Sequence, residues 1–116
     1  MLEKTLLNAL TTYRIQIQTG NRSHTQAEID SILDRIGSCE EHIRQGNKVD
    51  GTWMAENHTV LSKAVKCAHD FIHRNYAKND SEYLSEEHKE LNRCVRFFAD
   101  VYEKLGIDGK YMDIDF

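Results

Sequence analysis

The sequence predicts an all-α protein: a single-domain antiparallel four-helix bundle with a short C-terminal tail. Three observations support this prediction. The 116-residue chain contains no proline, the residue that most strongly disrupts helices. Apolar residues recur every three or four positions in four separate stretches, which places them on one face of an α-helix. The connections between these stretches are short, and short connections favour antiparallel neighbours.

The first predicted helix covers residues 2–18. Its apolar stripe consists of Leu2, Leu6, Leu10, Tyr13 and Ile17. Residues 13–17 also alternate between apolar and polar side chains, which is typical of a strand, so a strand that pairs with the C-terminal tail is the alternative there. We expect a helix, because the spacing of four and three continues from Leu2 to Ile17.

The second predicted helix covers residues 25–45. Its stripe is narrow and consists of Ile29, Ile32, Leu33, Ile36 and Ile43. A capping box is available at its start, formed either by Thr25 with Glu28 or by Ser23 with Gln26. Glu40 lies near the edge of the stripe, where we expect a carboxylate that reaches solvent at the rim. The helix is expected to end at Gly46.

The third and fourth predicted helices cover residues 52–78 and 84–105. Thr52 is the candidate N-cap of the third, and Ser85 that of the fourth. The third carries a stripe of Leu61, Val65, Ala68, Ile72 and Tyr76, and the fourth a stripe of Leu84, Leu91, Val95, Phe98, Tyr102 and Leu105. The bundle is thus predicted to span residues 1–107. Residues 108–116 form an acidic and apolar tail.

Several apolar residues fall outside these stripes. They are Cys94, Phe97 and Val101 on the fourth helix and Leu7 and Ile15 on the first. A monomeric bundle needs less apolar surface than this, so we predict that these residues form an interface for self-association or for a partner. The alternative is that the tail folds back and covers the patch on the fourth helix.

Histidines and lysines on the third helix provide the candidate ligand-binding residues. His69 and His73 are four residues apart and share a helix face, so they are weak candidates for a metal pair, with His88 or Glu90 as a third ligand. A Glu-x-x-His motif on each of two helices is absent, and we therefore expect no metal or other cofactor. Together with Lys63 and Lys66, these two histidines are the candidates for binding a small ligand.

The three cysteines do not form a redox or zinc motif. Cys39, Cys67 and Cys94 are widely spaced and no CxxC pair occurs. We expect all three to be reduced thiols that pack like small apolar side chains.

Motifs for catalysis are missing from the sequence. It contains no glycine-rich phosphate loop and no nucleophile motif. Arg35 and His42 have six residues between them, a spacing also found in some helical ribonuclease domains, but one such pair is expected by chance in a chain with six histidines and 15 lysines and arginines. We therefore expect a protein that is not an enzyme.

Charge and hydropathy narrow the class of partner. The formal net charge is −4, which argues against extended nucleic-acid binding, and no apolar run is long enough to span a membrane. A secretion signal is not recognisable at the start, so we expect a cytoplasmic protein. The predicted function is binding of another macromolecule, as a regulator, inhibitor, immunity protein or phage anti-defence protein that forms homo-oligomers. The alternatives are an oligomer that sequesters a nucleotide-like ligand and a metal-binding or hydrolase bundle.

Overall fold

The computed structural model describes residues 2–20, 24–76 and 86–106, with only the backbone of residues 73–76. In this part of the chain all regular structure is helical, which confirms the predicted all-α class. The helices are α1 (Leu2–Thr19), α2 (Gln26–Arg44), α3 (Gly51–Glu56), α4 (His58–Tyr76) and α5 (Glu86–Leu105). Residues 13–17 belong to α1, so the strand alternative is wrong for them. The tail lies outside the described residues.

The third predicted helix is divided into two, so the described residues form five helices rather than four. The break is at Asn57, whose backbone has left the helical region with φ −110° and ψ 24°. Its side-chain amide donates a hydrogen bond to the Trp53 carbonyl at 2.9 Å. Met54 and Leu61 are both buried and seven residues apart, so the apolar periodicity continues across the break and does not reveal it.

The helix ends follow known capping chemistry, with one correction. The predicted capping box of α2 is present: Thr25 Oγ1 accepts from the Glu28 N–H, and Glu28 Oε1 accepts from the Thr25 N–H. Helix α3 is capped by Asp50 and not by the predicted Thr52, because Asp50 Oδ1 accepts from the Trp53 N–H at 3.0 Å. The predicted Ser85 cap lies outside the described residues.

Helix α4 is at the centre of the core. Its contacts with α1 and α5 are the most extensive between helices, whereas α2 packs mainly on α1. The buried side chains of α4 are Val60, Leu61, Ser62, Ala64, Val65, Cys67, Ala68 and Ile72. None of the described helices is long and apolar enough to cross a membrane.

A buried ion pair joins α1 to α2. Glu40 is only 5% exposed, and its carboxylate accepts a hydrogen bond from Arg14 Nη2. Arg44, one turn further along α2, places its Nη2 at 3.8 Å from the second carboxylate oxygen. The expected rim position of Glu40 is therefore wrong. Arginines on two helices allow this carboxylate to be buried, since a charge without such partners would be costly to take out of water.

We predict that Arg14→Met destabilises the protein more than Glu40→Met does. Removing Arg14 leaves a buried carboxylate whose remaining partner, Arg44, is 3.8 Å away. Because Arg14 is itself partly exposed, we expect the free energy of unfolding to fall by about 2–3 kcal/mol. Glu40→Met removes the buried charge and leaves Arg14 able to reach solvent. Urea denaturation of both variants and of the double variant measures the difference. A double variant as unstable as Arg14→Met would contradict this account.

Candidate binding surfaces

The predicted interface on α5 is not a continuous exposed patch. Cys94 is 2% exposed and belongs to the core. Phe97 is half-buried: its ring contacts Phe98 edge to face at 5.2 Å and lies over Gly51, where an added Cβ would be 3.5 Å from the ring. Val101 is also half-buried. Phe97 therefore packs against the start of α3, an element that the sequence analysis did not separate from α4.

The two predicted interface residues on α1 have different surroundings. Leu7 is half-buried and packs against the core. Ile15 is 54% exposed. At 100° per residue, Ile15 is on the opposite side of α1 from the buried side chains, so no core contact accounts for an apolar residue there.

Two further exposed apolar residues were not among the predicted interface residues. Phe71 on α4 is 48% exposed and Leu105 at the end of α5 is 57% exposed. Leu105 belongs to the predicted stripe of its helix, and the periodicity gave no sign that this end of the stripe would be uncovered. The tail residues that could have covered the patch on α5 lie outside the described part of the chain.

The apolar stripe of α2 is covered unevenly. Ile36 and Ile43, in its second half, are buried. The residues Ile29, Ile32 and Leu33, which we call the α2 stripe, are only half-buried, although they touch the core. One side of α2 is therefore buried in the second half of the helix and partly open to water in the first half.

The predicted ligand-binding residues on α4 make contacts within the protein. Lys66 Nζ lies 3.0 Å from Asp70 Oδ1, one turn away. His69 Nε2 is hydrogen-bonded to Asn92 Oδ1 at 2.9 Å, and its ring stacks on His88 of α5 with centroids 5.3 Å apart. His69 therefore helps to hold α4 against α5.

The other two predicted ligand-binding residues, Lys63 and His73, are not seen to form a site in the described part of the chain. Lys63 is half-buried, and the His73 side chain lies outside the described residues. Among the side chains that are described, no three His, Cys, Asp or Glu residues are grouped so that they could hold a metal ion.

His42 organises the turn between α2 and α3. Its Nε2–H donates to the Lys48 carbonyl at 2.7 Å. Its ring stacks on Trp53 with centroids 4.3 Å apart and planes 9° apart. Because Nε2 is already bonded and one ring face is covered, His42 is held by this turn. Arg35, seven residues earlier, lines a separate cleft, so the two residues named as a spaced pair do not share a site.

That cleft lies between α2 and the break that separates α3 from α4. Its volume is about 520 Å³, within the range of pockets that bind small molecules. The lining residues are Asp34, Arg35, Ser38, Glu56, Asn57, Thr59 and Val60. Charged residues thus enter it from two elements, Asp34 and Arg35 from α2 and Glu56 from α3. We call this feature the α2–α3 cleft.

A smaller cleft of about 260 Å³ lies between α1 and α5. Its polar groups are largely engaged with one another. Asn8 Nδ2 donates to Glu87 Oε1 at 3.3 Å, and Arg93 Nη2 lies 2.9 Å from Glu90 Oε2. This cleft therefore serves as a contact between the two helices.

The cysteines are free thiols, and all three are buried, which agrees with the prediction that they are reduced packing residues. Burial raises the pKa of the Cys39 and Cys94 thiols from 9.0 to about 11, and nearby Glu40 and Glu90 act in the same direction. Sequence spacing predicted their packing role but could not predict the suppression of their ionisation, because its main cause is burial by other helices.

We predict that the native Cys39 and Cys94 thiols react slowly with Ellman's reagent at mildly alkaline pH. A rise in pKa of this size lowers the thiolate fraction about one hundredfold, and burial slows the reaction further. The unfolded thiols ionise first as pH rises, so folding stability should also fall between pH 9.0 and about 11. Guanidinium-unfolded protein is the control for the reaction, and equal rates in the two states would contradict the prediction.

Comparison of the chain with protein-family models, with curated proteins and with solved structures finds no match. The function is therefore inferred from the contacts and surfaces described above.

Proposed function

We propose that this protein acts by binding another macromolecule and that it self-associates through the first half of α2. The observation that carries the proposal is the uneven covering of one apolar face: Ile36 and Ile43 are buried, whereas the α2 stripe on the same face is half-buried. Apolar surface that is continuous with the core but open to water gains free energy when a partner covers it.

The residues around the stripe suit a protein surface. Glu28 and Asp30 are exposed on the same part of α2, one on each side of the stripe by helical geometry. An apolar centre with a charged rim is the usual composition of an interface between proteins. The negative rim also disfavours nucleic acid as the partner.

Ile15 on α1 is a second apolar contact in the proposal. It is more than half exposed and points away from the core. A change at Ile15 therefore tests association without altering the core, whereas a change within the α2 stripe affects both.

We further propose that α1, α2, α4 and α5 form the antiparallel bundle expected from the sequence, with α3 as an additional short helix. Two contacts support opposite directions for α4 and α5. Ser62 on α4 is hydrogen-bonded to Tyr102 on α5, and His69, further along α4, meets the earlier Asn92.

We predict that Ile32→Glu and Ile15→Glu weaken self-association in sedimentation-velocity experiments over a wide range of protein concentration. A charge in a desolvated apolar contact opposes association, so each variant should raise the dissociation constant at least about tenfold, or about 1.4 kcal/mol. Ser31→Glu is the matched control, because Ser31 is exposed on the side of α2 away from the stripe, and this variant should associate like the original protein.

Circular dichroism separates loss of association from loss of fold. Ile15→Glu should retain the original helix content and melting temperature, because Ile15 makes no contribution to the buried core. A protein that is monomeric at every concentration, with Ile32→Glu changing stability alone, would contradict self-association. The α2 stripe would then be ordinary packing at the edge of the core.

A further inference from the structure

We propose that the α2–α3 cleft binds a magnesium-coordinated phosphate group on a small molecule of about nucleotide size. This goes beyond the proposed macromolecular function and does not depend on it. Two carboxylates, one guanidinium, two hydroxyls and an amide line one open space of about 520 Å³. These groups come from α2, from α3, from Asn57 and from the first turn of α4, so the fold gathers them from separate parts of the chain.

The charged groups of the cleft are available to a ligand. Asp34, Arg35 and Glu56 are exposed, and the described contacts include no ion pair or hydrogen bond from any of the three side chains. Elsewhere on α2 the acids are engaged: Glu28 bonds the Thr25 N–H, and Asp30 accepts from Gln26. The cleft thus contains charged groups of both signs that form no ion pair with one another in the described structure.

The hydroxyl groups show the same availability. Thr11, Thr12 and Thr19 on α1 each donate a hydrogen bond to the carbonyl four residues earlier. Ser38 and Thr59 make no such bond in the described structure, and both line the cleft. A serine or threonine hydroxyl that is not bonded to its own helix can serve a ligand oxygen or a hydrated metal ion.

Asn57 shapes the cleft. Its side chain is turned into the protein, where Nδ2 donates to the Trp53 carbonyl and Oδ1 lies 3.9 Å from Cys39 Sγ. This inward turn holds the break between α3 and α4 in place. Glu56 on one side of the break and Thr59 on the other therefore line the same cleft.

The combination of groups fits a metal-bound phosphate better than a free anion or a free cation. Magnesium in proteins is commonly held by one or two carboxylates together with phosphate oxygens of the ligand, which matches Asp34 and Glu56. Arginine binds phosphate through two parallel hydrogen bonds, which matches Arg35. Two carboxylates against one guanidinium repel a phosphate that has no cation, so binding must depend on the metal.

The test is titration calorimetry of the full chain with ADP, with inorganic pyrophosphate and with adenosine, each in the presence of Mg²⁺ and again with EDTA. We expect ADP and pyrophosphate to bind with Mg²⁺ and to lose at least about tenfold in affinity with EDTA, because the carboxylates then face bare phosphate. Adenosine should not bind. Pyrophosphate that binds as well as ADP would show that the cleft recognises the phosphate and not the nucleoside.

Variants assign the binding to the cleft. Arg35→Gln should weaken magnesium-dependent binding by about tenfold or more, since a charge-assisted hydrogen bond is lost. Asp34→Asn and Glu56→Gln should each weaken the dependence on Mg²⁺. Asp30→Asn on α2 and Arg96→Gln on α5 are controls of the same charge type that do not line the cleft, and they should bind like the original protein.

The fluorescence of Trp53, the only tryptophan of the chain, gives a second readout, because its carbonyl is bonded to the Asn57 side chain. The proposal is overturned if none of the phosphate compounds binds at millimolar concentration, if binding does not require Mg²⁺, or if Arg35→Gln binds as well as Arg96→Gln. All these side chains are exposed, so we expect every variant to fold. Circular dichroism of each variant checks this and excludes unfolding as the cause of any loss of binding.

Discussion

The burial of α4 is the constraint on which the rest of this structure depends. At 100° per residue, its buried side chains occupy about 220° of its circumference, so one neighbouring helix cannot cover it. Helices α1 and α5 take up most of that surface, and small residues such as Ala64 and Ala68 keep side-chain bulk low on the covered face. The single hydroxyl of this face, Ser62, is satisfied by Tyr102 of α5. Without that partner, a buried hydroxyl would cost about 1–3 kcal/mol.

The sequence predicted the helical class, most of the buried stripe positions and the capping box of α2, because each depends largely on residues that are close together in the chain. Thr25 and Glu28 form their capping box through local backbone geometry alone. The break at Asn57 was not predictable from periodicity, since Met54 and Leu61 keep the same phase on either side of it. What decides the break is a side-chain bond from Asn57 to the Trp53 carbonyl and a contact with Cys39 on another helix.

The candidate surfaces were predicted less well, for a related physical reason. A helical wheel gives the angle of a side chain about its own helix but not the position of the neighbouring helices. Cys94 and Phe97 were both off the stripe, yet the first is in the core and the second packs on α3. Ile15 was off the stripe in the same way, and nothing in the described structure covers it. Likewise, Glu40 was placed at a rim because its partner Arg14 lies 26 residues away in sequence.

The two proposed surfaces use opposite sides of α2, which determines how they relate to one another. The α2 stripe shares the side of Ile36 and Ile43, while Asp34, Arg35 and Ser38 are centred about 200° away by helical geometry. A second copy placed on the stripe would therefore leave the α2–α3 cleft open, and neither surface needs the other to form. Coupling between them would require α2 to shift as a rigid element, and its buried Glu40–Arg14 pair with α1 resists such a shift. The simplest consequence of this geometry is a protein in which self-association and phosphate binding are separable by mutation.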